Sequence, residues 1–327
     1  MSAPLLEIDR LAVSFRAERG RVHVVDRVQL ALAAGETLAL VGESGCGKSI
    51  TALAIMRLVP RPGLIEAESR ICFAGRDLLS LPVAEMRNVR GGKIGMIFQE
   101  PMTSLNPVTR VGAQVEEAIR LHAKVPAGEA RRRTVELFQT VGIPDSGIRV
   151  DAYPHQLSGG LKQRVMIAMA MAMQPRLLIC DEPTTALDAT IRAQILELIR
   201  NMATTTGAAV LLITHDFGVV NAVADRVAVM YAGQIVEEGA REELLSRPRH
   251  PYTQGLLRSI PRPEARGNRL EEIKGVVPRP GQWPQACRFH PRCPHAFDRC
   301  RSETPARTVV SPTQAAWCHL VDEEARA

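Results

Sequence analysis

One eight-residue segment, from Gly42 to Ser49, constrains the fold of this chain more than any other. It reads Gly-Glu-Ser-Gly-Cys-Gly-Lys-Ser and fits the pattern G-x-x-x-x-G-K-S/T without a mismatch. The apolar run Leu38 to Val41 comes directly before it, and the helix-forming run Thr51 to Leu58 follows. The sequence therefore predicts a strand, a glycine-rich loop that binds phosphate, and a helix whose N-terminus faces that phosphate.

The residue types in this loop predict a site for ATP and Mg²⁺. Glycines let backbone N–H groups approach phosphate oxygens, Lys48 reaches the β- and γ-phosphates, and the hydroxyl of Ser49 is a ligand for Mg²⁺. The residues that we expect to contact the nucleotide are Gly42, Ser44, Gly45, Gly47, Lys48, Ser49 and Ile50.

Length and composition are those of a folded chain with about two domains. The chain has 327 residues, of which 46% are hydrophobic and 23% charged. The apolar run Val165 to Met173 is far shorter than the roughly 20 residues of a membrane-spanning helix, and the N-terminus does not have the pattern of a signal peptide. Aromatic residues make up only 4% of the chain, which disfavours a base-stacking surface for nucleic acid. We therefore expect a cytoplasmic protein unless a partner holds it at a membrane.

Two adjacent carboxylates follow a second apolar run, Leu177 to Cys180. In a parallel sheet the carboxyl ends of the strands line the ligand crevice. Asp181 is therefore placed to hold Mg²⁺, and Glu182 is placed to polarise the attacking water as a general base.

Three continuous apolar runs alternate with helical stretches, at 38–41, 177–180 and 210–213. They predict strands buried on both faces of a mostly parallel sheet. Two β-rich runs around Ala232 and Gly233 predict a hairpin, and Val111 to Phe138 is mostly helical, within an insertion at about 100–170. Half of the 22 prolines lie after Gly239, where periodicity is weak. We expect a nucleotide-binding domain over 1–240 and an extension over 241–327.

A second glycine pair, Gly159 and Gly160, follows Ser158 and precedes a helical run. Ser158 is a good N-cap, and the glycines free another helix start for a phosphate. One nucleotide needs only one phosphate loop. A head-to-tail pair of subunits explains the second segment, because each nucleotide would then lie between the loop of one subunit and the Ser158 segment of the other.

In the order of these motifs, from Gly42 to His215, the chain resembles the ATP-binding subunits of ABC transporters. The resemblance implies an α/β fold: a P-loop ABC-type ATPase core with a mostly parallel sheet, an antiparallel β part and a helical insertion, followed by an irregular C-terminal extension. It also implies ATP hydrolysis, with Glu182, His215, Gln99 and Lys48 as the catalytic residues.

Further roles come from the same resemblance. Gln99 matches the glutamine that senses the γ-phosphate, ligates Mg²⁺ with Ser49 and Asp181, and touches the membrane subunit. His215 matches the histidine that contacts the γ-phosphate. The remaining matches are Phe15, which stacks on adenine, Asp188, which communicates across the dimer, and Ser158, Gly159 and Gly160, which bind the nucleotide of the partner.

Two segments resemble the subgroup of ABC importers for dipeptides and oligopeptides. They are Phe98 to Pro107, and His250 to Gln254 at the start of the extension. This resemblance implies an ATPase that powers peptide uptake from the cytoplasmic face of the inner membrane. The implied partners are a second homologous ATPase subunit, two transmembrane permease subunits and an external substrate-binding protein, with no nucleic acid.

Four late cysteines, in the pattern C-x5-C-x6-C-x17-C, predict a metal site. The close pairs of structural zinc sites are absent, although His290, His295 and His319 could complete a mixed zinc site. The resemblance to peptide-importer ATPases implies a 4Fe–4S cluster, which four thiolates suit. Zinc and a metal-free segment remain open alternatives. The cysteines are Cys287, Cys293, Cys300 and Cys318.

Three rival functions remain. A nickel or other small-solute importer would use the same ATPase core. A soluble ABC ATPase of translation or DNA repair commonly has two cassettes or a long coiled coil, neither of which is present. A simple P-loop kinase would leave the segment from Ser158 to Gly160 unexplained.

Overall fold

The computed structural model describes residues 3–18, 20–99, 104–185, 187–259 and 272–326. The chain divides into two compact units, one of residues 1–5, 32–36 and 80–212, and the other of residues 6–31, 37–79 and 213–327. One part of the sequence prediction lies outside the described residues, namely Glu100 to Thr103 of the segment that resembles peptide importers.

The described residues form strands and helices throughout both units. The strands are β1 (Leu6–Ala17), β2 (Gly20–Leu32), β3 (Thr37–Val41), β4 (Gly63–Ile65), β5 (Arg70–Phe73), β6 (Arg76–Asp77), β7 (Ile94–Ile97), β8 (Leu177–Asp181), β9 (Ala209–Thr214), β10 (Arg226–Tyr231), β11 (Gln234–Ala240), β12 (Arg307–Ser311) and β13 (Gln314–Trp317). The α-helices are α1 (Lys48–Ile55), α2 (Val83–Val89), α3 (Val111–His122), α4 (Ala127–Thr140), α5 (Ser146–Arg149), α6 (Gly159–Met171), α7 (Ala189–Thr206), α8 (Phe217–Val223), α9 (Arg241–Ser246), α10 (Pro251–Arg258), α11 (Asp298–Ser302) and α12 (His319–Arg326).

The three apolar runs of the sequence form β3, β8 and β9, which confirms the prediction of buried strands. Every residue of β8 and of β9 is buried. In one unit β7 pairs with β8 in parallel, and in the other β3 pairs with β10 in parallel. Parallel strands covered on both faces have no polar face, which explains why the runs are continuous rather than alternating.

The antiparallel part of the fold lies in the unit that contains the phosphate loop. Its smaller sheet has the order β2-β1-β5-β6, with β4 paired to β1. β1 runs antiparallel to both β4 and β5, and β5 runs antiparallel to β6. The predicted hairpin is also present as β10 and β11, with Ala232 and Gly233 at φ 45° and 82° in the turn. Positive φ at both positions is typical of a tight two-residue hairpin.

The C-terminal extension contains regular elements that the sequence analysis did not predict. β13 pairs antiparallel with β11, and β12 pairs antiparallel with β13. The extension therefore adds two strands to the sheet of its own unit and covers the edge of β11, which would otherwise carry unpaired backbone groups. The sequence did not reveal β12 and β13, because the segment is rich in proline and each strand has only four or five residues.

A buried carboxylate joins the extension to this sheet. Glu237, in β11, is fully buried. Its oxygens accept the N–H groups of Arg249 and His250, at 2.8 and 3.0 Å, and the side-chain amide of Gln314, at 2.8 Å. Burial raises the pKa of Glu237 despite these hydrogen bonds. Two segments of the extension thus converge on one side chain of the sheet.

The first long helix of the extension, α10, begins at a buried histidine. His250 is the N-cap of α10, and its Nδ1 accepts the N–H of Tyr252 at 3.0 Å. Burial lowers the pKa of His250 to about 3. The ring is therefore neutral, with its proton on Nε2, because Nδ1 acts as an acceptor.

We expect His250→Asn to flatten the dependence of stability on pH. The pKa of His250 in the folded chain lies below the usual 6.5, so the unfolded state binds more protons and stability falls as pH falls below 6.5. This loss is about 2 kcal/mol of unfolding free energy between pH 7 and pH 5. Asparagine offers a side-chain oxygen as the capping acceptor in place of Nδ1, and it does not titrate.

The measurement is denaturant unfolding of both proteins at pH 5, 6 and 7. The raised pKa of Glu237 acts in the opposite direction, but Glu237 is present in both proteins, so its contribution cancels in their difference. Identical pH profiles would show that His250 is not the group that titrates.

Candidate nucleotide-binding site

The phosphate loop between β3 and α1 depends on glycine at positions that no other residue fits. Gly42 and Gly47 have φ values of 155° and 112°. A Cβ on Gly42 would lie 2.2 Å from the carbonyl oxygen of Met230, and one on Gly47 would lie 2.9 Å from that of Val24. The loop therefore packs against neighbouring backbone, which is the close approach that the sequence motif predicts.

Lys48 lies inside this loop. Only 5% of it is exposed, and its ammonium group donates to the carbonyl oxygens of Gly42, at 2.8 Å, and Glu43, at 3.0 Å. Ser44 and Gly45 are exposed at the tip, whereas Ser49 and Ile50 are half-buried. The loop thus presents exposed backbone around a cation, an arrangement that suits phosphate oxygens.

Two further predicted residues lie in the same unit as this loop. Phe15, near the end of β1, is half-buried and pairs with Gly63 of β4. A Cβ on Gly63 would lie 2.8 Å from the ring of Phe15, so this ring packs on its neighbouring strand. His215 is exposed directly after β9.

In the other unit the structure brings Gln99 and Glu182 together. The amide of Gln99 donates to a carboxylate oxygen of Glu182 at 3.1 Å, and the hydroxyl of Thr185 donates to the same oxygen at 3.0 Å. Glu182 has a φ of 46°, which is uncommon for a residue other than glycine, and it follows the buried Asp181 at the end of β8. Backbone and side-chain contacts thus fix the direction of this carboxylate.

The sequence analysis did not identify Thr185. A threonine two residues after Pro183 carries no pattern of its own, and only the turn after β8 places its hydroxyl on the carboxylate.

The glycine pair and Asp188 lie at two helix starts in this second unit. Ser158 is the N-cap of α6, as predicted, and its hydroxyl accepts the N–H of Leu161 at 3.4 Å. Asp188 is the N-cap of α7 and accepts the N–H of Ile191 at 2.9 Å. A Cβ on Gly160 would lie 3.0 Å from the side chain of Ile191, so the two helix starts are neighbours. Ser158 and Gly159 are exposed.

The four late cysteines lie near one another in the extension. The N–H of Cys287 donates to the carbonyl oxygen of Cys300 at 3.2 Å. Burial, followed by the charges of neighbouring thiols, raises the pKa of Cys287 to about 12 and that of Cys318 to about 11. All four are free thiols. Within the described ranges, however, no three His, Cys, Asp or Glu side chains are arranged as a ready set of metal ligands.

Comparison with known proteins identifies the family. Residues 25–185 match the ABC transporter family, and residues 236–300 match the C-terminal region of oligopeptide/dipeptide transporters. The dipeptide transport ATP-binding protein DppD of Escherichia coli is 47% identical over 321 residues, which cover 98% of each chain. The chain belongs to the ABC transporter family. The oligopeptide transport ATP-binding protein AppD of Bacillus subtilis is 47% identical to this ABC protein over 320 residues, again covering 98% of each chain.

Solved structures agree with this family. An ATP-binding cassette determined as a dimer in a post-hydrolysis state, with ADP and Pi, has a TM-score of 0.65 and 26% identity. The alignment covers 72% of this ABC protein and 98% of that cassette. A protein of Clostridium perfringens that is part of an ABC transporter complex has a TM-score of 0.63 and 27% identity, over 75% of this chain and 92% of that one. The predicted P-loop ABC-type fold is confirmed.

In the described part of the chain, no helix combines the length and the apolar character that crossing a bilayer requires.

Proposed function

We propose that this chain is the ATP-hydrolysing subunit of an importer that takes up dipeptides and oligopeptides. One observation carries the proposal: an ABC-type phosphate loop is joined, in one chain, to a C-terminal region of the oligopeptide/dipeptide transporter type over residues 236–300. Relatives named for dipeptide or oligopeptide transport that align over 98% of the chain support the same substrate class. We retain the division into a nucleotide-binding domain (1–240) and an extension (241–327) as part of this proposal.

In the proposed reaction, Glu182 is the general base that polarises the attacking water. Its support is geometric, because Gln99 and Thr185 both donate to one carboxylate oxygen and so fix the direction of the side chain at the end of β8. Lys48 binds the β- and γ-phosphates, His215 contacts the γ-phosphate, and Phe15 stacks on adenine.

We propose that Mg²⁺ is held by Ser49, Gln99 and Asp181. Hydroxyl, amide and carboxylate oxygens are the hard ligands that this ion prefers. When bound, Mg²⁺ neutralises charge on the phosphates.

The proposed working unit is a pair of ATPase subunits. Ser158 and Gly159 are exposed at the start of α6, where they can bind the nucleotide of a partner, with Gly160 and the neighbouring Asp188 at the same helix starts. The dimeric state of a similar cassette supports this arrangement. The further partners are two permease subunits and an external binding protein, which would hold the ATPases at the cytoplasmic face of the inner membrane.

Glu182→Gln is expected to keep ATP binding and to lower the hydrolysis rate by about 10²–10⁴-fold, because it removes the base and keeps the shape of the side chain. Lys48→Ala is the contrasting variant and should lose binding itself. Binding is measured with a fluorescent ATP analogue and turnover by phosphate release. Near-normal turnover in Glu182→Gln would exclude Glu182 as the base.

Peptide uptake tests the proposed substrate. The chain, together with its proposed partner subunits, is placed in proteoliposomes and offered a labelled dipeptide, a labelled oligopeptide or Ni²⁺. We expect ATP-dependent uptake of peptide that is absent with Glu182→Gln. Uptake of Ni²⁺ alone would contradict a peptide importer, and cosedimentation of the isolated chain with ribosomes or DNA would favour a soluble ATPase.

The four late cysteines are proposed to hold a 4Fe–4S cluster. Support comes from their soft thiol donors and from their proximity, since neighbouring cysteines contribute, after burial, to the raised pKa values of Cys287, Cys293 and Cys318. Since no three of them stand ready as ligands in the described structure, binding would require their side chains to rearrange.

Protein purified without oxygen should therefore be brown and contain about four irons and four labile sulfides per chain. Cys293→Ser should lose the colour, whereas Cys72→Ser, which changes a buried cysteine of β5, should keep it. Metal and sulfide analysis with visible absorption provide the measurement. Stoichiometric zinc without iron, or a metal-free chain, would exclude the cluster.

A further inference from the structure

Glu43, a variable position of the phosphate-loop motif, is held by the C-terminal extension. Its N–H donates to the hydroxyl oxygen of Tyr252 at 2.9 Å. Its carboxylate accepts two hydrogen bonds from the guanidinium of Arg292, at 2.7 and 3.0 Å. Its carbonyl oxygen accepts the ammonium of Lys48. The backbone and side chain of this one residue therefore connect the extension to the lysine of the loop.

The arginine of this ion pair, Arg292, is buried rather than exposed at the surface. Its side chain is only 5% exposed, compared with 31% for Glu43. It also donates to the carbonyl oxygens of Ile273, Lys274 and Gly275, at 3.0 to 3.3 Å. A bidentate pair with a buried arginine has a fixed geometry, whereas a fully exposed pair contributes little. The position of Glu43 is thus tied to the fold of the extension.

A cluster of three aromatic rings surrounds the residues that make this contact. The ring centroids of Tyr231 and Tyr252 are 4.6 Å apart, and Phe289 lies 5.2 and 5.4 Å from them. The guanidinium of Arg292 lies 5.7 Å from the ring of Tyr231. Tyr231 ends β10, and two residues later the N–H of Gly233 donates to the carbonyl oxygen of Cys46 in the loop. The tyrosine hydroxyl and the arginine therefore have little freedom to move away from the loop.

We propose that Tyr252 and Arg292 are positioning residues, through which the C-terminal extension holds Glu43 and the phosphate loop in the geometry that binds ATP. Backbone N–H groups bind phosphate only when they are placed to within a fraction of an ångström. A contact that fixes the loop beforehand therefore lowers the conformational entropy that the loop loses when ATP binds. Loss of the contact weakens ATP binding although neither side chain belongs to the nucleotide motif. This inference rests on the proposed function only in that the loop binds ATP.

The test measures the dissociation constant of a fluorescent ATP analogue with the full chain. Tyr252→Phe removes one hydroxyl and keeps the packed ring, and should weaken binding about fivefold. Arg292→Lys loses the bidentate geometry and should weaken it about tenfold, as should Glu43→Gln, which leaves the contacts of Arg292 within the extension intact. The variant Glu43→Gln/Arg292→Lys should bind no more weakly than the worse single variant, because both changes break one contact.

The extension contains a matched control pair. Arg307 donates to Glu238 of β11 at 2.9 and 3.3 Å, and its guanidinium lies 5.7 Å from the ring of Trp317. This pair also joins the extension to the sheet through an arginine and a glutamate, with Arg307 46% exposed, and it does not touch the loop. Arg307→Lys and Glu238→Gln should leave ATP affinity unchanged. Thermal unfolding of every variant, without nucleotide, reports stability separately.

The outcomes separate positioning from mere stability. Non-additive loss of affinity for Glu43 and Arg292, with none for the control pair, supports the inference. Unchanged affinity, tighter binding, or a loss that follows unfolding temperature equally in both pairs overturns it. Failure of the unmodified chain to bind the analogue would overturn the proposed function, and this inference with it.

Discussion

The buried ammonium group of Lys48 is the interaction on which the nucleotide-binding unit depends. A cation with 5% exposure must have its donors satisfied, and the carbonyl oxygens of Gly42 and Glu43 do this from within the same loop. The backbone that presents these carbonyls includes Gly42, which has a φ of 155°, and it packs too closely on the carbonyl of Met230 to accept a side chain at Gly42. The conformation of the loop therefore depends on its contacts with the start of α1 and with the end of β10.

The same requirement of polar satisfaction explains why the extension belongs to this unit. Glu237 is buried in β11, and the N–H groups that satisfy it come from the start of the extension, with Gln314 contributing from β13. Arg292 is satisfied in turn by Glu43 and by three carbonyl oxygens. Removing the extension would leave a carboxylate and a sheet edge uncovered. The segment is thus a structural part of the nucleotide-binding unit.

In the other unit the constraint is backbone geometry. Glu182 has a positive φ directly after β8, which turns its carboxylate toward Gln99 and Thr185. Strain at one residue is tolerated where surrounding contacts compensate for it, and such residues cluster at functional sites. The strand Leu177–Asp181, fully buried, supplies the rigid base for this turn.

The sequence by itself predicted the features that depend on interactions between residues close together in the chain. Continuous apolar runs predicted β3, β8 and β9, the pair Ala232 and Gly233 predicted the hairpin, and a serine before two glycines predicted the cap of α6. Motif spacing also predicted the ABC-type fold and the candidate residues of the phosphate loop. In each case neighbours in the chain carry the information, through period, turn chemistry or capping.

Tertiary structure alone decided how these parts meet. Glu43 lies 209 residues from Tyr252 and 249 from Arg292, and no local pattern reports such a pairing. The strands β12 and β13 escaped prediction for the same reason, because an edge strand of a proline-rich segment is stabilised by the strand it pairs with rather than by its own periodicity. The residue types in the sequence determined which ligands and which reaction the candidate site suits. Long-range packing decided that its C-terminal extension lies on the phosphate loop, since only folding brings a buried arginine and its distant carboxylate together.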